Sequence, residues 1–221
     1  MNSKKLNNLY RNFAIVILFL APLVLLPKGF IEMKYNLFEY PKLFQIFKCI
    51  TFFGDGWMLL AVLIFILARL HFYTKRKNLK ELYTFIFAAV LMMLFVHLLK
   101  KILFEDELRP IAYFNTLNPN WNSSQFDIHF NSRHSFPSGH TATFATIGFF
   151  LMRYVKKTYS YLLFGSILLV GFSRIFLFQH FVLDVFIGLY IGLFAVSAAN
   201  QLTTIIFSKK KTAKAFLAFN N

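Results

Sequence analysis

The sequence contains a single cysteine, Cys49, among its 221 residues. One thiol excludes an intramolecular disulfide and any metal site built on several cysteines. The chain also lacks internal repeats and low-complexity segments, so neither a repeat architecture nor a biased tail is indicated. Acidic residues are scarce, with 9 Asp and Glu against 24 Lys and Arg. The resulting formal net charge of +15 is a level that nucleic-acid-binding proteins also reach.

Apolar residues dominate the composition. Hydrophobic residues make up 57% of the chain, aromatic residues 19%, and the mean hydropathy is +0.56. This composition lies outside the range of soluble globular domains and predicts an integral membrane protein. The basic residues fall in short clusters between apolar runs, as they do in loops that flank membrane helices. We therefore predict a lipid bilayer as the environment and no nucleic-acid partner, while the sequence indicates no oligomeric state.

Six long apolar runs divide the chain. We predict an all-α fold in which residues 1–221 form one integral membrane domain, a six-transmembrane-helix bundle. Lys5 and Arg11 precede the first run as they would in a signal peptide, but no small-residue cleavage site follows it, which favours a retained helix. The mixed segment that carries Lys28, Glu32, Lys34, Glu39, Lys42 and Lys48 is predicted to lie on the membrane surface. The predicted spans are residues 13–30, 52–70, 82–99, 139–155, 159–174 and 176–207.

An even number of spans places both termini on the same side of the membrane. The loops on that side carry the denser basic clusters, so the positive-inside rule predicts cytoplasmic termini. Residues 100–137 then form a long polar loop on the outer face, next to the polar start of the sixth span. Long loops in compact domains are usually functional, so a site is expected on the outer face.

One stretch, residues 173–184, places ionisable side chains inside an apolar run. Arg174, His180 and Asp184 would cost several kcal/mol in a membrane segment unless they pair or face water, so they indicate a functional site. If this stretch is helical at its end, His180 and Asp184 are four residues apart and share one face. The carboxylate could then hold the imidazole in one orientation.

A second polar cluster, residues 137–140, coincides with the start of the fourth predicted span. A helix start offers unpaired N–H groups and a positive dipole end, which favour an anion. Arg109, Arg174 and a lysine would add the cations that a phosphoryl group requires. His180 could then attack phosphorus, while His140 protonates the leaving oxygen and later activates water. This chemistry needs no metal.

Two of these clusters carry complete motifs. In order along the chain, they resemble the second and third signature motifs of the type 2 phosphatidic acid phosphatase (PAP2) superfamily. A lysine followed by Arg109 and Pro110 resembles the first. Both complete motifs are present without departure, the second as Pro137-Ser138-Gly139-His140 and the third as Ser173-Arg174, His180 and Asp184.

The first motif departs from the family pattern in its lysine. The family places six residues between the lysine and Arg-Pro, whereas seven separate Lys101 from Arg109, and Ile102 occupies the expected place. We take Lys101 as the motif lysine and keep Lys100 as the alternative. A one-residue bulge in this stretch would reconcile either with the motif.

The resemblance implies a bacterial inner-membrane enzyme with a metal-independent phosphohistidine mechanism, no cofactor and an active site on the periplasmic side. The substrate class it implies is a phosphorylated membrane lipid: phosphatidylglycerophosphate, phosphatidic acid, undecaprenyl pyrophosphate or a lipid A phosphate. The residues carried over are His180, His140 and Asp184 as catalytic, and Lys101, Arg109, Ser138, Gly139 and Arg174 as phosphate-binding.

Two other functions fit the same residues. A lipid phosphotransferase would pass the phosphoryl group to another lipid rather than to water, and the motifs do not separate the two reactions. A non-enzymatic phospholipid-binding or transport protein is disfavoured, because binding alone needs neither His140 nor His180. Asp55, between two glycines, is predicted to cap the second span, with an orientation towards the site as the alternative.

Overall fold

The computed structural model describes residues 3–35, 37, 40–72, 79–118 and 131–219, with side chains from Lys5 to Ser208 within these ranges. The described residues contain helices and turns and no strand, which confirms the all-α prediction. The helices are α1 Ser3–Leu18, α2 Phe30–Tyr35, α3 Pro41–Thr51, α4 Trp57–Phe72, α5 Leu79–Leu98, α6 Pro110–Leu117, α7 Gly139–Leu151, α8 Lys157–Phe176 and α9 Val182–Phe219.

The apolar helices identify a multi-pass membrane protein. Four segments are long and apolar enough to cross a bilayer, and a bent pair adds a fifth if it counts as one span. Helix α7 has 13 residues, fewer than a bilayer crossing needs, and most of its side chains are buried by other helices. Length alone therefore supports four or five spans in the described chain rather than the predicted six. The four are Lys5–Leu25, Leu79–Leu103, Lys157–Phe176 and Val182–Ser208, and the bent pair is Pro41–Gly54 with Trp57–Phe72.

Several boundaries differ from those predicted. Helix α1 begins about ten residues before the first apolar run and ends at Leu18, because apolarity marks contact with lipid rather than the start of a helix. The predicted surface segment from Lys28 to Lys48 contains α2 and most of α3, and α3 belongs to the first half of the bent pair. A turn separates α8 from α9, so the last span starts at Val182. In the predicted loop 100–137, Pro110 begins α6, and residues 119–130 lie outside the described residues.

Helix α7 occupies the centre of the bundle, and α9 approaches it closely. Gly188 and Gly192 of α9 form a small-residue pair four positions apart on the face that meets α7. A Cβ added at Gly192 would lie 2.5 Å from the Cβ of Ala145, and one added at Gly188 would lie 2.8 Å from the carbonyl oxygen of Ser138. Small residues at this spacing let two helix backbones approach in a membrane. The start of α7 is thereby held against the first turns of α9.

We expect Gly192→Ala to lower the free energy of unfolding by about 1–3 kcal/mol, because the added methyl overlaps the backbone of α7. The matched control is Gly165→Ala on α8, where an added Cβ meets nothing within 4 Å. This control should be neutral or gain up to about 1 kcal/mol of helix propensity. Unfolding of the detergent-solubilised protein measures both. Equal stability of the two variants would contradict the packing argument.

The other end of the bundle carries a separate polar network. Glu81 of α5 accepts hydrogen bonds from Arg69 and, at 3.0 Å, from the hydroxyl of Tyr154. Arg153 donates to Asn200 Oδ1 at 3.1 Å, and Tyr10 donates to the carbonyl of Phe149 at 2.6 Å. These bonds join α1, α4, α5 and α9 at the end of the bundle opposite His140 and His180. The bundle therefore has two polar ends and an apolar middle.

Candidate active site

His180 and Asp184 are brought together by the turn between α8 and α9. His180 Nδ1 lies 3.2 Å from Asp184 Oδ2, and both side chains are buried. His180 is not helical. It precedes α9, and Asp184 reaches back from the first turn of that helix, where its Oδ2 also accepts the N–H of Phe181 at 3.0 Å. The predicted proximity of His180 and Asp184 is therefore produced by the start of α9 and the turn before it, not by two residues on one helix face. Because Nδ1 faces the carboxylate, Nε2 is the ring nitrogen left for chemistry.

Two buried side chains that the sequence did not single out hold this turn. Ser135 Oγ donates a short hydrogen bond to Asp184 Oδ2, and its own N–H donates to the carbonyl of Glu107 at 3.0 Å. Glu32 of α2 accepts the N–H of Val182 at 2.8 Å and so caps the start of α9. Burial raises the pKa of Glu32. No sequence motif marks either residue, because each reaches the turn from a distant segment.

The second motif forms the start of α7. Ser138 is the N-cap, and its Oγ accepts hydrogen bonds from the N–H of Thr141 at 3.4 Å and from the Thr141 hydroxyl at 2.9 Å. The Ser138 N–H donates to the backbone carbonyl of Asp184 at 3.0 Å, which joins the second motif to the third. The Ser138 N–H and the acceptor positions of its Oγ are therefore occupied within the protein. The N–H groups of Gly139 and His140 are those that a first helical turn leaves without an intrahelical acceptor.

Two arginines, one buried and one half-buried, lie beside these groups. Arg174, in the last turn of α8, is 7% exposed and donates from Nη1 to Thr51 Oγ1 at 2.8 Å. Its Nε is buried without a hydrogen-bond partner among the described residues, so this donor is suited to an anion. Arg109 precedes α6 and donates from Nη1 to Gln179 Oε1 at 3.1 Å. Burial lowers the pKa of Arg109, and the charge of Asp184 opposes that shift.

Lys100 and Lys101, the two candidates for the lysine of the first motif, make different contacts. Lys100 is half-buried, donates to the carbonyl of His134 at 3.0 Å, and its charge interacts with those of Arg109 and Asp184. Lys101 is exposed, and its Nζ lies 2.9 Å from His134 Nε2. Both lysines belong to a π turn, Leu99–Leu103, which is the local expansion predicted for this stretch. The geometry thus favours Lys100, the alternative, as the lysine of the site.

The electrostatic environment keeps His180 neutral. Burial holds its pKa well below the ordinary 6.5, and the charges of Arg109, Arg174 and Lys100 lower it further. A neutral imidazole with Nδ1 on a carboxylate has its lone pair on Nε2, which is the form a nucleophile needs. Because only the neutral form can attack, protonation below this lowered pKa would remove the nucleophile.

His140 contacts a carboxylate of its own. Its Nε2 lies 2.6 Å from Asp55 Oδ1, so the structure favours the alternative orientation of Asp55 over a helix cap. Burial lowers the pKa of His140 and the charges of Arg174, His180, Arg109 and Lys100 lower it further, whereas a carboxylate in contact favours the protonated ring. In the described ranges, no three His, Cys, Asp or Glu side chains are placed to hold a metal ion. The site thus brings cations, N–H donors and two imidazoles, each in contact with a carboxylate, within electrostatic range of one another.

An apolar cavity adjoins this cluster. It has a volume of about 270 Å³ and lies between the stretch from Leu23 to Glu32 and the start of α9. Phe104, Phe136 and Phe181 line it, and Asp184 reaches its wall. At its rim, Lys28 Nζ lies 3.0 Å from Glu107 Oε2. An apolar cavity beside a cationic site suits a ligand with a charged head and a hydrocarbon tail.

The chain and its fold are similar to known proteins. The model of the PAP2 superfamily matches residues 81–207, more than half of the chain. The structure is similar to the crystal structure of Aquifex aeolicus LpxE, with a TM-score of 0.61 and 26% identity, covering 77% of this chain and 92% of that one. It is also similar to the transmembrane PAP2 type phosphatidylglycerolphosphate phosphatase from Bacillus subtilis, with a TM-score of 0.57 and 26% identity, covering 91% and 97%. No curated protein sequence matches significantly.

Proposed function

Because the chain belongs to the PAP2 superfamily, we propose that it is a membrane lipid phosphatase that works through a phosphohistidine on His180. The structural similarity to the transmembrane phosphatase from Bacillus subtilis supports the phosphatase class. The observation that carries the proposal is the hydrogen bond between His180 Nδ1 and Asp184. It leaves Nε2 as the reacting nitrogen, near the charges of Arg109, Arg174 and Lys100. Binding alone would need the cations but not an oriented, neutral imidazole.

In the first step, Nε2 of His180 donates its lone pair to phosphorus as the bond from phosphorus to the leaving oxygen breaks. That oxygen keeps the bonding electrons and takes a proton from His140. Arg109, Arg174 and Lys100, with the N–H groups of α7, neutralise the negative charge on the other phosphate oxygens. Asp184 stabilises the positive charge that develops on His180.

In the second step, His140 acts as the base. It takes a proton from water, whose oxygen attacks phosphorus from the side the leaving group occupied. The bond between phosphorus and Nε2 breaks, its electrons return to His180, and inorganic phosphate leaves. Both histidines then have the protonation they began with, so the cycle closes without a metal or a cofactor.

The lipid tail would stay in the bilayer while the head enters the site. The apolar cavity beside Asp184 supports this path, because an acyl chain gains nothing by leaving the membrane. The distribution of basic loops supports cytoplasmic termini in a bacterial inner membrane, with the active site on the periplasmic face. The substrate would be a lipid phosphomonoester or a lipid pyrophosphate.

The test is phosphate release by the detergent-purified protein from phosphatidylglycerophosphate, phosphatidic acid, undecaprenyl pyrophosphate and a lipid A phosphate. We expect release from at least one of them, and the rate should be unchanged by EDTA because the chemistry uses only side chains. Activity that vanished with EDTA and returned with a divalent metal would contradict the mechanism. Transfer of labelled phosphate to a second lipid without release would identify a phosphotransferase.

A further inference from the structure

A segment outside the three motifs reaches the site. It is residues 51–55, from the last residue of α3 into the turn before α4, next to the point where the paired helices bend by 54°. Thr51 is buried and accepts the hydrogen bond from Arg174 Nη1 at 2.8 Å. The turn that follows packs against the start of α7. One short segment therefore contacts both an arginine that binds phosphate in the proposed mechanism and the helix that carries His140.

Asp55 makes a close polar contact with the proposed acid. Its Oδ1 lies 2.6 Å from His140 Nε2, with 35% of the Asp55 side chain and 32% of the His140 side chain exposed. The charge of Asp55 also acts on Arg174. Asp55 is thus an anion among several cations, and it contacts one of the two ring nitrogens of His140.

Gly54 explains how the carboxylate comes so near. A Cβ added at Gly54 would lie 2.8 Å from the Cβ of His140 and 2.9 Å from its carbonyl oxygen. Both distances are shorter than real Cβ atoms show, so a side chain here would force the two segments apart. The glycine lets the chain pass directly over His140, and the residue after it then reaches the imidazole.

We propose that Asp55 is the positioning residue of His140, as Asp184 is of His180; this inference rests on the proposed function. With Nε2–H of His140 donated to Asp55, Nδ1 is the nitrogen that exchanges protons with the leaving oxygen and with water. The carboxylate fixes the ring and stabilises the imidazolium against the nearby cations Arg174, Arg109 and Lys100. Each histidine of the site then has its own carboxylate.

The experiment compares Asp55→Asn with Thr51→Val on two substrates. Dioctanoyl phosphatidic acid has an alkoxide leaving group that needs a proton, whereas 4-nitrophenyl phosphate has a weakly basic one that does not. For Asp55→Asn, kcat/KM should fall about 30- to 100-fold with the lipid and by less than about 3-fold with the aryl phosphate. Thr51→Val loosens Arg174, which binds phosphate in both substrates, so both values should fall by the same factor.

The pH profile of kcat/KM for the lipid gives a second measurement. Loss of the Asp55 carboxylate should destabilise the imidazolium of His140, so the alkaline limb should move to lower pH. A purely structural defect would lower the profile equally at every pH. Asp106→Asn makes the same chemical change at an exposed residue paired with Arg133, and we expect wild-type values from it.

The outcomes separate the inference from the proposed function. A wild-type protein that releases no phosphate from any lipid would overturn both. If the wild type is active, two results would overturn only the role of Asp55. One is an Asp55→Asn variant with unchanged kcat/KM. The other is a variant whose kcat/KM falls by the same factor on both substrates while its pH profile does not shift. If Asp55→Asn fails to fold, Gly54→Ala keeps the carboxylate and displaces His140. It should show the same dependence on the leaving group, and a loss that was equal on both substrates would contradict the proposal.

Discussion

Replacing His180 by Ala should lower phosphate release from the preferred lipid by about 10⁴-fold or more, because the substitution removes the atom that forms the bond to phosphorus. His180 Nε2 is the second nitrogen of a buried ring whose Nδ1 faces Asp184. The cations that bind the phosphate would remain, so substrate binding should survive while turnover is lost.

Two measurements check this expectation. Rapid acid-free quenching of the wild type with a ³²P-labelled lipid should trap a labelled protein whose phosphate is lost in acid, as for a phosphoramidate. His180→Ala should trap none. His97→Ala is the matched control, because His97 is exposed on α5, and we expect it to keep activity within about 2-fold. Near wild-type turnover in the His180 variant would remove this residue as the nucleophile.

Replacing Lys100 by Met should lower kcat/KM by about 100- to 1000-fold, the usual loss when one donor to a developing charge is removed. Lys100 is half-buried, and its charge acts on both histidines as well as on Arg109 and Asp184. Methionine keeps the length and apolar stem of the side chain, so packing in the π turn should change little.

Lys101→Met is the matched control one residue away. Lys101 is exposed and contacts the ring of His134, so its loss should change kcat/KM by less than about 3-fold. Inhibition by orthovanadate, an anion that imitates phosphate, should weaken in the Lys100 variant and not in the Lys101 variant. The reverse ranking would restore Lys101 as the motif lysine, as the sequence first indicated.

The two lysines show where sequence reasoning reaches its limit. Their positions differ by one residue, and spacing to Arg109 departs from the family pattern for both. In a regular helix, one residue turns a side chain by 100°, and a π turn alters that angle again. Local spacing therefore cannot decide which amine enters the site. The packing of the turn against residues 131–135 decides it, and that packing favours Lys100.

The membrane helices show a second limit of sequence reasoning, which concerns helix boundaries and the surroundings of each helix. Apolar runs in the sequence located the segments that contact lipid, and the all-α, multi-pass prediction is confirmed. They did not locate most of the helix ends. They located the start of the central α7 but interpreted it as the membrane span 139–155, although α7 is apolar because it is surrounded by helices rather than by lipid. Hydropathy measures burial from water and does not distinguish these two environments.

The local parts of the candidate site could be predicted from the sequence. His180 and Asp184 are four residues apart, and Ser138 to His140 are contiguous at a helix start, so their chemistry could be inferred from spacing and capping rules. The tertiary structure alone brought Asp55, Thr51 and Ser135 to them, because each arrives from a separate segment and no spacing rule relates segments so far apart in the chain. The motifs thus carry the reacting groups, and the packing of helices around α7 provides the residues that hold them in place.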